Sequence, residues 1–293
     1  MNEQSVKAIV DQNFGIRPMG VVVGVTLKGH RHYFTSGAIP LHQAKAQALL
    51  PKDRVLFIGS NTKVFTGTLL ALASIEGIVN LDTPVKTLLP KGVTIQEPYG
   101  QILLWHLATH SSGFPDGQCK FGHYKFGAYP FDFEGRFLEQ FIPNCAPGTY
   151  WVYSNQAFGL LGVLLSHAFS NNTQKSKSWD KSYQEWPKHV VSRITAPLGM
   201  NSTQVDYTGV EARVAQGYVI QKNGDYKPQP PPDWDLGSAG LPAGALSSTA
   251  EDMLTFLEAE MRPPEGILGQ AIKLTQQPCP SPGASNNLSM GLG

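Results

Sequence analysis

The sequence predicts a mixed fold: an α/β part built on an antiparallel β-hairpin, joined to a long, mostly helical stretch. Three observations carry that expectation. Val21–Leu27 and His32–Ser36 are strand-length runs separated by Lys28-Gly29-His30, which reads as a hairpin turn. From Ser60 the spacing changes, and Val64, Phe65, Leu69, Leu70, Ala73 and Ile75 recur at the interval of a helical face. Hydrophobic residues make up 41% of the chain and charged residues only 15%, against roughly 25% charged in an average soluble protein, a balance that excludes disorder and supplies a core.

Each element is expected from its local pattern. Residues 4–14 read as an amphipathic helix with Val6, Ile9, Val10 and Phe14 on one side, and Arg54–Ile58 as a short apolar run ending at Gly59. The helix beginning near Ser60 meets Gly77 where a C-cap glycine belongs. Leu81-Asp82-Thr83-Pro84 opens an expected short helix that stops at Pro90, and Gln101–His110 is expected to be helical up to Ser111-Ser112-Gly113. Residues 114–135, rich in Gly, Phe and Tyr without a period, read as an ordered loop over a cleft. Helical pieces are expected at Phe137–Ile142, at Ala157–Ser166 and at residues 183–194, the last ended by Pro197, with a polar loop at Asn171–Lys181. Val214–Ile220 and Tyr226 flank Asn223-Gly224, a strong hairpin signal. Gln229–Pro232 reads as a proline-rich loop, and Ser248–Glu260 as a helix capped by Ser248 or Thr249, with Glu251 and Asp252 in its first turn. Residues 278–287 read as a loop, and Met290-Gly291-Leu292-Gly293 as the start of another strand.

Length and charge narrow the function. A chain of 293 residues is one large domain or two intimate ones. Its 23 basic and 22 acidic residues give a net charge of +1, so no overall field attracts nucleic acid or an anionic membrane surface. No apolar run approaches the roughly 20 residues of a membrane span. Met1-Asn2-Glu3-Gln4 lacks the basic and apolar regions of a signal peptide, so the expectation is a cytosolic protein or one separated from its signal. The 3 cysteines, Cys119, Cys145 and Cys279, are not a disulfide framework; a Cys119–Cys145 bridge stays open for an oxidising compartment. No CxxC, HExxH, Walker A or GxGxxG pattern is present, so neither a metal nor a nucleotide cofactor is implied. His106 and His110 have the i,i+4 spacing of a ligand pair, yet no third ligand lies nearby, and helix packing is the expected role.

The chemistry concentrates in two short patterns. Ser60-Asn61-Thr62-Lys63 is an S-x-x-K at an expected helix start. Positions i and i+3 share a helix face, so the Lys63 amine can lie beside the Ser60 hydroxyl. A serine is a weak nucleophile until a neighbouring base takes its proton. A helix N-terminus adds N–H groups and positive dipole that favour a developing oxyanion. Ser178-Trp179-Asp180-Lys181 repeats the spacing in a polar loop with no apolar helix behind it and is read as surface. The second pattern is Tyr153-Ser154-Asn155, the only Y-x-N. A tyrosine phenolate beside a lysine ammonium can act as general base, and Asn155 can both donate to and accept from a substrate amide.

Together and in this order, these patterns resemble class C β-lactamases, their penicillin-binding-protein and D-Ala-D-Ala peptidase relatives, and family VIII esterases. The resemblance runs along nearly the whole chain. Phe57-Ile58-Gly59-Ser60-Asn61-Thr62-Lys63 is similar to the nucleophile segment, and Gly77-Ile78-Val79-Asn80-Leu81-Asp82-Thr83-Pro84 to the next helix exit. Leu107-Ala108-Thr109-His110-Ser111-Ser112-Gly113 looks like the family's L-x-T-H-T-S-G, and Pro147-Gly148-Thr149 through Tyr153-Ser154-Asn155 to Leu160-Leu161-Gly162 like its second motif. Pro197-Leu198-Gly199-Met200 and Ala243 through Asp252 match further family stretches.

The resemblance implies a β-lactamase/transpeptidase-like fold: α/β plus all-α, with an antiparallel sheet flanked by helices and a helical second domain. It divides the chain into residues 1–76, the N-terminal part of the α/β domain with the nucleophile helix; 77–245, mostly helical and carrying the Tyr-x-Asn motif; and 246–293, the return to the α/β domain. It implies Ser60 as nucleophile with its backbone N–H as one oxyanion donor, Lys63 as proton partner, Tyr153 as general acid/base and Asn155 as substrate-amide ligand, with Gln118 lining the cleft. The implied substrate is a β-lactam, a D-Ala-D-Ala-type peptide or a small ester, with no cofactor and no metal, and the implied compartment is the periplasm or cell exterior. The family's third motif, K-T-G or H-x-G, is expected after Gly291-Leu292-Gly293. Lys120-Phe121-Gly122 and Lys125-Phe126-Gly127 precede Tyr153, the wrong order, and Lys222-Asn223-Gly224 is better read as the hairpin turn. The expectation is therefore a C-terminally short chain whose hairpin keeps an unpaired edge, and the alternative function is a non-catalytic homologue that binds peptidoglycan-like ligands or a partner without turnover.

Overall fold

A helix buried on nearly every side lies at the centre of the computed structural model, which describes residues 3–14, 20–37, 39–42, 49–116, 131–172, 183–232, 234–279 and 291–293. In chain order the elements are α1 (Glu3–Phe14), β1 (Val21–Leu27), β2 (His30–Ser36), β3 (Leu56–Phe57), α2 (Thr62–Ile75), α3 (Leu104–Ala108), α4 (Phe131–Gln140), α5 (Asn155–Asn172), α6 (Trp186–Val190), β4 (Gly217–Ile220), β5 (Tyr226–Gln229), α7 (Leu241–Gly244), β6 (Ser247–Ser248), α8 (Ala250–Met261) and α9 (Ile267–Thr275). Short 3-10 turns occupy Pro51–Asp53, Gly59–Asn61, Val85–Leu88, Tyr183–Glu185 and Glu211–Arg213, and Val191–Thr195 is one turn of π-helix.

The central helix is α2. It is enclosed by protein on nearly every side: Phe65, Leu69, Leu70, Ala71 and Ala73 are wholly inside, and so are its polar residues Thr62, Lys63, Thr66 and Thr68. Around it pack α5, α7 and α9. Phe158, Leu160, Leu161 and Leu165 of α5 join the same core, as does Leu292. Glu76 ends α2 and Gly77 follows at φ 69°, as expected for the C-cap glycine.

The strands form three separate antiparallel pairs among the described residues: β1–β2, β3–β6 and β4–β5. In β1–β2, Val21 faces Ser36 and Leu27 faces His30, so the turn is Lys28-Gly29 alone, one residue shorter than the sequence pattern implied. Both turn residues have positive φ (51° and 83°), the requirement of a two-residue type I′ hairpin. The β4–β5 hairpin closes round Asn223-Gly224 as expected. The first hairpin packs on α1 through β2 and on α8 through β1. A charged network fastens it there: Arg31 donates to Glu258 at 2.6 Å and Glu251 at 3.0 Å, while Tyr33 and Lys52 donate to Glu251 at 2.6 and 2.8 Å.

Several local expectations are corrected. Ile9 of α1 is half exposed, and Val10 is that helix's buried residue. The expected helix after Pro84 is the 3-10 turn Val85–Leu88, and regular helix in 101–110 shrinks to α3, because Val85 N–H and Leu104 N–H are taken by Ile102 O and Thr83 O. Between those two bonds, Pro84 and Leu103 form an antiparallel bridge. Helix α5 begins two residues earlier than expected, at Asn155, because Ser154 caps it: its Oγ accepts from Ala157 N–H at 2.9 Å. It also runs on to Asn172. Thr249 caps α8, accepting from Asp252 N–H at 3.1 Å. Residues 291–293 are not a strand: Leu292 N–H donates to Thr275 O and Gly293 N–H to Ala108 O, against the α2–α9 pair. Helices α7 and α9 are additional to the elements expected from the sequence. Lys120, Lys125, Gln118, Cys119 and the second S-x-x-K, Ser178 to Lys181, lie outside the described residues. Cys145 and Cys279 carry free thiols.

One close approach seats α7 on α5. A Cβ added at Gly162 of α5 would come within 2.2 Å of the Pro242 ring in α7 and 3.0 Å of Trp186 Cδ1. Gly162→Ala therefore forces α7 away from α5 and should destabilise the fold by about 1–3 kcal/mol, the usual size of an overpacking defect. Thermal unfolding checks it, and an unchanged melting temperature would show that α7 is not seated on α5.

Candidate active site

Ser60 sits in the 3-10 turn Gly59–Asn61 that leads into α2, and Lys63 is the second residue of the helix. The turn is anchored from behind by the β3–β6 pair, extended by Ile58 N–H donating to Leu246 O at 3.0 Å. Two threonines of α2 then fix the segment that carries α7. Thr62 Oγ1 accepts from Leu246 N–H at 3.1 Å, and Thr66 Oγ1 donates to Pro242 O at 2.8 Å. That seating points the Ala243 carbonyl inward.

The i,i+3 spacing read from the sequence is realised: Lys63 Nζ lies 3.1 Å from Ser60 Oγ. The two motifs meet at the same point. Tyr153 Oη is 2.5 Å from Ser60 Oγ, and Lys63 Nζ donates to Asn155 Oδ1 at 2.7 Å and to Ala243 O at 2.6 Å. The nitrogen also lies 4.8 Å from the centre of the Tyr153 ring and 5.6 Å from that of Phe158. The sequence-predicted residues Ser60, Lys63, Tyr153 and Asn155 thus form one cluster.

The electrostatics follow from depth. Lys63 is 3% exposed, and burial pulls its pKa down from 10.5 to about 8, with the Asp116 carboxylate opposing that fall. As an ammonium it has three N–H groups for three acceptors. As an amine it keeps two N–H groups on the carbonyls of Asn155 and Ala243 and turns its lone pair to Ser60 Oγ. The same cage therefore accommodates both protonation states. Asn155 is fixed on its other side, its Nδ2 donating to Asp116 Oδ1 at 2.8 Å. That uses one of the two N–H groups on Nδ2 and leaves a second for a substrate carbonyl.

His110 is a positioning element that the sequence reading assigned only to helix packing. It lies beyond α3, buried, at φ 57°. Its carbonyl accepts from Val152 N–H at 2.8 Å and its Nδ1 from Ser154 N–H at 3.0 Å, so it clamps the chain on both sides of Tyr153. Its ring rests on the Tyr153 ring at 4.6 Å between centres. His106 instead caps α3 within its own turn, its Nδ1 accepting from Leu103 N–H at 2.9 Å. The two histidines form no metal site, and no group of His, Cys, Asp and Glu suited to a metal occurs among the described residues. Sequence reasoning also missed Asp116 and the Ala243 carbonyl. On the solvent side, Tyr150, Trp151 and Val152 form an exposed apolar rim.

Residues 9–288 match the sequence model of the Beta-lactamase family. The chain belongs to the β-lactamase family. Among its family relatives, a β-lactamase of Escherichia coli (strain K12) is 28% identical over 267 residues, 88% of this chain and 61% of that protein. The chain therefore spans about three fifths of that relative's length. Two solved structures have the same fold: a class C β-lactamase from Rhodobacter sphaeroides, 28% identical with a TM-score of 0.69 over 94% of this chain and 71% of that one; and a D-alanine carboxypeptidase from Burkholderia cenocepacia, 25% identical with a TM-score of 0.72 over 99% and 74%. The β-lactamase fold class expected from the sequence is the fold observed. No helix among the described residues is long and apolar enough to cross a membrane.

Burial lowers the pKa of both His106 and His110 to about 4. Both are neutral in the folded protein at pH 5, while the unfolded chain binds protons from about 6.5 downward. The unfolded state then holds more protons, so stability is fully present above pH 6.5 and falls as the pH drops toward 4. Each histidine should account for about 2 kcal/mol of loss between pH 7 and pH 5. His110→Asn keeps an acceptor for Ser154 N–H and tolerates the left-handed backbone. Denaturant unfolding at the two pH values should show that variant losing less than the parent; an identical loss would place His110 in solvent.

Proposed function

We propose that this protein is a serine hydrolase that forms an acyl-enzyme on Ser60 with β-lactams, D-Ala-D-Ala-type peptides or small esters. The observation that carries the reading is the position of Ser60 Oγ between two proton-handling groups, 3.1 Å from Lys63 Nζ and 2.5 Å from Tyr153 Oη. Lys63 in its amine form draws the Ser60 proton as Oγ attacks the substrate carbonyl carbon. The new C–O bond turns the carbonyl into an oxyanion facing the Ser60 backbone N–H at the start of α2. Tyr153 then delivers a proton to the departing nitrogen or oxygen as that bond breaks. Water, activated by the same pair, cleaves the acyl ester and restores Ser60. The second N–H of Asn155 Nδ2 holds the substrate's side-chain amide or its equivalent. Relatives named as a β-lactamase and as a D-alanine carboxypeptidase support the substrate class.

Intact-mass measurement after incubation with a penicillin tests the reading. The expected result is a one-to-one adduct mapped to Ser60, absent in Ser60→Ala. Its rate should rise with pH through about 8, as Lys63 becomes an amine, and Tyr153→Phe should slow it by about 10²–10⁴. An adduct that persists in Ser60→Ala, or a folded parent that forms none, contradicts the assignment.

A further inference from the structure

We infer that Asp116 is a positioning residue that acts on Lys63 through the Asn155 side chain. A primary amide has the same shape in either orientation, and only its partners decide which end is oxygen and which is nitrogen. Here one end meets a cation that only donates, Lys63 Nζ at 2.7 Å from Oδ1, and the other a carboxylate that only accepts, Asp116 Oδ1 at 2.8 Å from Nδ2. Only one orientation satisfies both. The reverse sets N–H against N–H at Lys63 and oxygen against oxygen at Asp116. Asp116 therefore keeps the Asn155 carbonyl on Lys63 while this amide's second N–H stays available.

The carboxylate acts on Lys63 in a second way, by charge. The titratable groups that face Lys63 among the described residues are Tyr153, His110 and Asp116. His110 is neutral above about pH 4. Burial drives the Lys63 pKa down, and Asp116 pulls against it. Removing that charge while keeping an oxygen acceptor should leave the amide oriented and let Lys63 lose its proton at lower pH. Removing the whole side chain should also free the amide to turn.

The kinetic part of this inference rests on the proposed acyl-enzyme reading; the titration part does not. The experiment compares the parent with Asp116→Asn and Asp116→Ala, with circular dichroism as the folding control. Lys63 is titrated by NMR of lysines carrying 13C at the ε carbon, and acylation by a penicillin is timed across the same pH range. Expected is a Lys63 midpoint lowered in D116N by at least about half a pH unit, the effect of one charge about 7 Å away through water, which the buried surroundings of Lys63 enlarge. The low-pH limb of acylation should move with it. D116N should retain more of the maximal acylation rate than D116A, which should lose about tenfold with its amide unpaired. A Lys63 midpoint unmoved in D116N overturns the inference, as does an equal loss of rate in both variants without a shift. Should D116A fail to fold, the D116N titration decides alone. A parent that never acylates but whose Lys63 midpoint falls in D116N sinks the hydrolase reading and leaves this inference standing.

Discussion

One cation placed inside the protein is the constraint on which the site depends. Lys63 points into a space enclosed by α2, α5 and α7, where an ammonium without partners would be strongly unfavourable. Its three contacts come from three separate parts of the chain: Ser60 in the turn before α2, Asn155 at the first position of α5, and Ala243 in α7. Burying it therefore requires those elements to arrive at fixed distances. Burial also makes it useful, because desolvation brings the amine within reach of neutral pH while the cage serves either protonation state.

The packing around α2 explains how such a cage is kept. The helix has no polar face to turn outward, so its surroundings are determined by neighbours on every side. Gly162 lets the Pro242 ring of α7 rest against the α5 backbone, and the threonines at 62 and 66 bond to the chain at 242–246. Tyr153 is fixed differently, by the clamp of His110 above and below it and by Ser154, which caps α5 one residue before Asn155. The tripeptide Tyr153-Ser154-Asn155 thus divides its work among a ring at the serine, a helix cap and an amide at the lysine.

The parts of this arrangement that sequence makes legible are those encoded locally. Ser60 and Lys63 are three residues apart on one helix, so spacing alone puts them together. The first hairpin is readable from its turn to within one residue, and the cap of α8 narrows to Ser248 or Thr249, of which the structure uses Thr249. Tyr153 and Asn155 were legible only through their order relative to Ser60 and the family resemblance. The rest depends on tertiary placement. The Ala243 carbonyl has no side-chain signature, since any residue carries one. Asp116 reads as an ordinary loop acid until α5 brings Asn155 to it. His110 sits two residues past α3 in a left-handed conformation that its i,i+4 spacing from His106 obscures. Helix α7 contains Pro242 in a four-residue span, too short for any period to show.

Amide hydrogen exchange of Lys63→Met against the parent tests the central claim most directly. Methionine keeps much of the volume and removes the three contacts. The account predicts faster exchange at 153–157 and 241–246, the segments the cation ties to α2, with the middle of α2 still protected. Equal protection in those segments would mean that they are positioned without Lys63, and that the cation is a passenger in the fold rather than its organising contact.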